Sequence, residues 1–194
     1  GEYNISGRLV DFIRENQYHI KQKIYTKLAD SGFSLCNEQL IAVNQILIAA
    51  SEAVEQKSQG LDPKKKAFVI NGSPGSGKTL VALSLLIEAI GNGIKSIYGL
   101  RRNGALVNTL RNAIDDNLND TFRDLSGLVY FINVPRNNMG IADSRFNISN
   151  LDLIICDEAQ RMLKDSLSIV FERSSVSAFF IDEKQRLNWD EQGV

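Results

Sequence analysis

"AFVINGSPGSGKTLVALSLLIEAI", residues 67–90, is the stretch on which the fold turns. A short apolar run, a glycine-rich turn and a longer apolar run follow one another without a break. The first run has the length of a strand buried on both faces; the last, apolar nearly all round, has the length of a core helix. Between them Gly72, Ser73, Pro74, Gly75, Ser76, Gly77, Lys78 and Thr79 fit the spacing G-x-x-x-x-G-K-[ST]. A strand before and a helix after give that spacing its physical meaning. Glycines let the backbone curl until successive N–H groups point at one anion, through torsions that a β-carbon resists. Lys78 adds a point charge for the β- and γ-phosphates of a nucleoside triphosphate, Thr79 a hydroxyl for Mg²⁺, and the helix its positive end. Gly91-Asn92-Gly93 then closes the helix.

Downstream, "KSIYGL" (95–100), "LVYFINV" (128–134), "LDLIIC" (151–156) and "VSAFFI" (176–181) read as further strands covered on both faces, with helical or polar segments between them. Upstream, Leu9, Ile13, Ile20, Ile24 and Leu28 recur at helical spacing among charged residues and predict one or two amphipathic helices, which Gly32 is placed to end. A second pattern starts with Asn37 as a cap and carries Leu40, Ile41, Ile46, Leu47 and Ala50, a long helix running to Lys57. "SQGLDPKKK" (58–66) has turn residues without periodicity and reads as a loop, its lysines a solubilising run. "PRNNMGIADSRFNISN" (135–150) is a long loop of the kind that is functional or mobile. The expectation is an α/β layered domain over residues 61–194 with a mostly parallel sheet, preceded by helices over residues 1–60 that pack on its core.

A chain of 194 residues supports one full core. Its 22 basic and 23 acidic residues nearly cancel, so no global field advertises nucleic acid or a membrane surface, and any such binding is local. Cys36 and Cys156 are far apart, which suits a reducing, cytoplasmic setting better than a disulfide framework and leaves no cysteine cluster for a metal. No apolar run approaches the roughly 18 to 20 residues that span a bilayer, so no membrane partner is expected.

"LDLIICDEAQR" supplies the partner of the glycine-rich turn. The apolar run carries Asp157 to the end of a buried strand, where it can hold Mg²⁺ opposite Thr79. Glu158, beside the metal but not on it, suits a general base that orients and deprotonates an attacking water. Hydrolysis is therefore expected as well as binding. His19 and Trp189 are single residues without a visible partner in the pattern, and no role is assigned to them.

The succession "GSPGSGKT", "DEAQR", "FFIDEKQ" resembles the first RecA-like domain of superfamily 1 helicases, in which a strand ending in Asp is followed three residues later by Gln. By that resemblance the fold is a three-layer P-loop NTPase, the strand ending at Asp182 lies between the phosphate-loop strand and the strand before Asp157, and Gln185 meets the γ-phosphate or the attacking water while Asp182 orders the network around Mg²⁺. The segment "FSLCNEQLIAVNQIL" (33–47) looks like the upstream glutamine motif of the superfamily, which makes Gln39 the reader of adenine and ATP the nucleotide. A primary amide matches the N6 donor and N7 acceptor of adenine, although a helix-capping "NEQ" accounts for the same letters. More closely, "GEYNISGRLVDFIRENQ", "YGLRRNGALVNTLR", "DEAQRM" and "FFIDEKQRLNWDEQG" look like a bacterial family of helicase-type proteins related to the helicase portion of the Schlafen proteins.

That resemblance implies single-stranded DNA or RNA as a partner, held after the second strand by Arg101, Arg102 and Asn103; a merely solvated loop reads the same way. It also implies a second RecA-like lobe, absent from these residues, and in some members an upstream nuclease. An arginine finger from such a lobe is worth about 10³ to 10⁵ in rate, so residues 1–194 alone are expected to bind ATP and Mg²⁺ but to turn over slowly. Two functions stay open: the first motor lobe of a helicase or translocase, and a nucleotide-dependent switch that controls a partner or an attached nuclease. A small-molecule kinase is disfavoured, because the Asp157-Glu158 pair and Asp182 with Gln185 suit a water nucleophile better than an acceptor hydroxyl.

Overall fold

In the computed structural model of the chain the described residues are 5, 7–29, 37–73, 77–100, 128–132 and 140–182. Two helices come first, α1 (Gly7–Ala29) and α2 (Asn37–Ser58). The layered part then runs β1 (Lys66–Asn71), α3 (Lys78–Gly91), β2 (Ser96–Leu100), β3 (Val129–Phe131), β4 (Leu151–Cys156), a 3₁₀ turn (Ala159–Arg161), α4 (Lys164–Arg173) and β5 (Ser174–Ile181). The five strands form one sheet in the order β1-β5-β4-β2-β3, and every neighbouring pair is parallel. This is the expected α/β three-layer architecture with helices ahead of it. β5 lies between β1 and β4, as the helicase resemblance implies.

The strands β2, β4 and β5 are buried at every position, which is what a continuous apolar run buys only when helices cover both faces. β1 departs from that expectation. It stands at the edge of the described sheet with alternate residues exposed, Val69 among them at 48%. The apolar run "AFVIN" is the same in either setting, so the sequence does not distinguish an edge strand from a central one.

Helix α3 buries eleven of its fourteen residues, among them Leu83, Leu85, Leu86 and Ile90. Each such side chain contributes about 1.5 to 3 kcal/mol through its removal from water. The helix ends where Gly93 takes φ 75° and the Ile94 N–H returns to the Ala89 carbonyl at 2.9 Å, a turn that a β-carbon resists. Helix α2 packs on α3 and on β4 and β5, while α4 lies against β4 and β5. Helix α1 is a single helix laid along α3: Leu9, Ile13 and Ile20 are buried, the Arg14 Nε donates to the Gly91 carbonyl at 3.0 Å, and Lys21 pairs with Glu88. One cation therefore caps the carboxyl end of α3 and another pairs with its last turns.

Three further differences have physical causes. In α2 the buried stripe is Val43, Ile46, Leu47, Ala49, Ala50 and Ala53, with Leu40 and Ile41 exposed; small alanines fill the contact with the layer beneath, so apolar size misplaces the stripe. The described part of the Asn-rich loop, 140–150, is strapped down. Arg173 donates from Nη1 to the Phe146 carbonyl and from Nη2 to the Asp143 carbonyl, each at 2.7 Å, and lies over the Phe146 ring. Helix α4 goes unread in the sequence because only Ser166 and Val170 are buried along it.

Candidate functional site

The carboxyl ends of parallel strands are where an open α/β sheet presents its backbone and side chains to a ligand. Here the register brings the ends of β1, β5, β4 and β2 level: Asn71 pairs with Ile181, Cys156 with Phe179, and Gly99 with Cys156. Gly72 extends the ladder by one bond, from its N–H to the Ile181 carbonyl. Gly77 then enters α3 at φ 78° and ψ 16°, a left-handed conformation that accounts for a glycine there. Pro74, Gly75 and Ser76 lie outside the described residues, as do Gln185, Arg101, Arg102 and Asn103.

Four of the expected residues converge at these strand ends. Lys78 folds back on its own loop, its Nζ donating to the Gly72 carbonyl at 2.5 Å and the Ser73 carbonyl at 2.8 Å, and stands 3.9 Å from the Asp182 carboxylate. Thr79 Oγ1 donates to Asp157 Oδ2 at 2.8 Å. Asp157 follows the last residue of β4, its N–H bonded to the Gly99 carbonyl, and is 1% exposed. Burying a carboxylate is costly unless it is well bonded. Its donors are all neutral: Thr79, the Tyr98 hydroxyl at 2.8 Å on the same oxygen, and the Glu158 N–H at 2.9 Å on Oδ1.

Glu158 is differently placed. It adopts φ 56° and ψ 36°, a left-handed conformation that a non-glycine residue holds only where its surroundings enforce it. Gln160 Nε2 donates to its Oε2 at 2.9 Å, and Arg161 Nε lies 3.2 Å from the same oxygen. Gln160 is itself 1% exposed, and its Oε1 accepts the Asp182 N–H at 3.0 Å. One amide thus joins the turn after β4 to the end of β5. Burial, and after it the charge and the hydrogen bond of Asp157, push the Tyr98 phenol well above its usual range, so it stays a proton donor. Burial likewise pushes the Cys156 thiol up and makes it unreactive.

The donor set suits a hard divalent cation. A hydroxyl and a carboxylate oxygen, 2.8 Å apart, belong to the oxygen chemistry Mg²⁺ prefers, and among the described residues no cationic side chain pairs with Asp157. No group of three or more His, Cys, Asp or Glu able to hold a metal exists among the described residues. A cation held by one carboxylate, one hydroxyl, water and phosphate needs no such cage.

Gln39 is on the wall of a hollow of about 390 Å³ between α1, α2 and α3, with Tyr18, Val43, Val81 and Ser84. Val81 is only two residues past Thr79. Tyr98, Gln160 and Arg161 were not singled out by sequence. The signal for Gln160 was a polar residue held close behind an acid pair; for Tyr98 it was the one long hydroxyl side chain in an otherwise short or aliphatic strand, "SIYGL".

The parallel sheet, the helix-opening lysine and threonine at its carboxyl edge and the buried acid opposite define a three-layer α/β domain. Over residues 65–194 the chain matches the family described as Schlafen group 3, DNA/RNA helicase domain, and it belongs to that family. Among curated proteins none matches it. Membership assigns a helicase-related role in nucleic-acid metabolism. No helix among the described residues is long and apolar enough to cross a membrane.

Proposed function

We propose that the chain is the ATP-binding and ATP-hydrolysing first motor lobe, RecA-like and of the superfamily 1 type, of a DNA or RNA helicase or translocase. The observation that carries this reading is the contact of Thr79 Oγ1 with Asp157 Oδ2, which brings the opening of α3 and the end of β4 to one point. Thr79 and Asp157 would hold Mg²⁺, which when bound offsets charge on the β- and γ-phosphates. Residues 72–79 cradle those phosphates through backbone N–H groups, and the Lys78 ammonium exchanges the carbonyls of Gly72 and Ser73 for phosphate oxygens. Glu158 takes the proton of the attacking water as the new P–O bond forms and the bond from phosphorus to the β,γ-bridging oxygen breaks. Its Oε2 is held by Gln160 and Arg161, so Oε1 is the oxygen assigned to that proton. Asp182 and Gln185 report the γ-phosphate from the end of β5, Gln39 reads adenine from the α1–α2–α3 hollow, and Arg101, Arg102 and Asn103 grip a single strand.

The test is hydrolysis of ATP by the full-length protein with and without single-stranded DNA and RNA oligomers. A rate raised by one of the single strands and lost in Lys78→Ala is the expected result. A rate indifferent to nucleic acid favours the regulatory switch, and a rate indifferent to Lys78 overturns the site.

A further inference from the structure

Tyr98 is an uneconomical choice for its position. It sits in the middle of β2, fully buried, paired with Ile155 on β4 and Val129 on β3. A strand covered on both faces is satisfied by aliphatic side chains, and a buried hydroxyl adds a desolvation cost that has to be met by a hydrogen bond. The one bond that meets it goes to Asp157 Oδ2, at 2.8 Å.

The geometry of the sheet explains why tyrosine reaches. Tyr98 is level with Ile155, and Asp157 lies two residues further along, so side-chain alternation puts Tyr98 and Asp157 on the same face. Two residues of strand rise about 6.6 Å, a span close to the length of a tyrosine side chain and out of reach of serine or threonine. The phenol therefore runs forward along β4 and ends on the carboxylate.

We propose that Tyr98 is a positioning residue for the metal-holding carboxylate: it fixes the rotamer of Asp157 from the neighbouring strand, so that Thr79 and Asp157 are aligned before Mg²⁺ arrives. Asp157 has three donors, and Thr79 is one of the two groups that would hold the metal. The remaining two secure one oxygen each, the Glu158 N–H on Oδ1 and the Tyr98 hydroxyl on Oδ2. Two fixed oxygens determine both the plane and the torsion of a carboxylate; one leaves it free to turn. Removing the phenol oxygen leaves the ring in place and takes away only the second constraint. Affinity for nucleotide without metal is then unchanged, and the affinity for metal in the ternary complex falls.

The inference rests on the proposed ATP·Mg²⁺ site, and the test separates the two. Binding of a non-hydrolysable ATP analogue to the full-length protein is measured by calorimetry, in EDTA and across a Mg²⁺ titration, for wild type and Tyr98→Phe, with thermal melts alongside. The wild type is expected to gain affinity with Mg²⁺. Tyr98→Phe should bind as the wild type does in EDTA and need about tenfold more Mg²⁺ for half of that gain, the scale of one hydrogen bond to a charged group. Tyr98→Met, of similar length without the hydroxyl, should behave in the same way and serves if the phenylalanine variant folds poorly. Equal Mg²⁺ midpoints in the wild type and whichever variants fold overturn the role of Tyr98 and leave the site standing. A purely structural role would weaken binding equally with and without Mg²⁺, which also overturns it. A wild type that gains nothing from Mg²⁺ overturns both readings.

Discussion

Asp157 and Glu158 are adjacent acids with opposite surroundings. Asp157 continues the ladder of β4 at 1% exposure and is held by three neutral donors, two of them on neighbouring elements of the core. Glu158 turns out of the ladder in a left-handed conformation, and its partners, an amide and a guanidinium, come from the next three residues of the chain. The first is gripped by long-range contacts that cannot move without the sheet. The second is gripped from within its own turn, which Gln160 ties to the Asp182 N–H at the end of β5. A carboxylate that holds a cation gains from the first arrangement, and one that accepts a proton and changes charge gains from the second.

Glu158→Gln breaks the comparison most severely. It keeps the size of the side chain and removes the proposed proton acceptor, so kcat for ATP in the full-length protein should fall by about 10² to 10⁴ while nucleotide affinity stays within a factor of about two. Parallel steady-state kinetics and binding measurements check this; a parallel loss of affinity would assign Glu158 to the metal as well. Gln160→Leu sharpens the same contrast with a smaller effect. The Asp182 N–H loses its acceptor and the Glu158 carboxylate loses the Gln160 donor, keeping only its ion pair with Arg161, which costs about 1 to 3 kcal/mol of stability through the buried group left unpaired. A fall in kcat of about tenfold with little change in affinity is expected, read against a melt of the same preparation. If stability drops and kcat does not, the amide is a strut between β4 and β5 and nothing more.

The parts of this site that the sequence makes legible are those in which chemistry and periodicity coincide. Residues 67–90 combine a strand, a glycine-rich turn and a helix, and each predicts the same arrangement; the structure adds that Lys78 and Thr79 face the ends of β5 and β4. The strand before Asp157 is legible as a continuous apolar run that stops at two acids; such an ending is common as plain solvation, and it points to a site only beside the glycine-rich turn in the same chain. Tyr98 and Gln160 are not legible. Their roles depend on which strands are neighbours and on register, information that one strand's own residues do not contain. Tyr98 and Asp157 are 59 residues apart in the chain, and Gln160 and Asp182 are 22 apart. The edge position of β1 escaped for the same reason, since "AFVIN" satisfies a covered strand and a half-covered one alike. Gln185, Arg101, Arg102 and Asn103 lie outside the described residues and stand on the resemblance alone.

The most direct measurement is a Mg²⁺ titration of ATP-analogue binding to the full-length protein, comparing Asp157→Asn with Glu158→Gln. Both remove one negative charge, one residue apart, so any difference between them reflects position and not net charge. Asp157→Asn is expected to lose the Mg²⁺-dependent gain in affinity and Glu158→Gln to keep it. Loss of the gain in both variants, or in neither, would contradict the division of labour between the two acids.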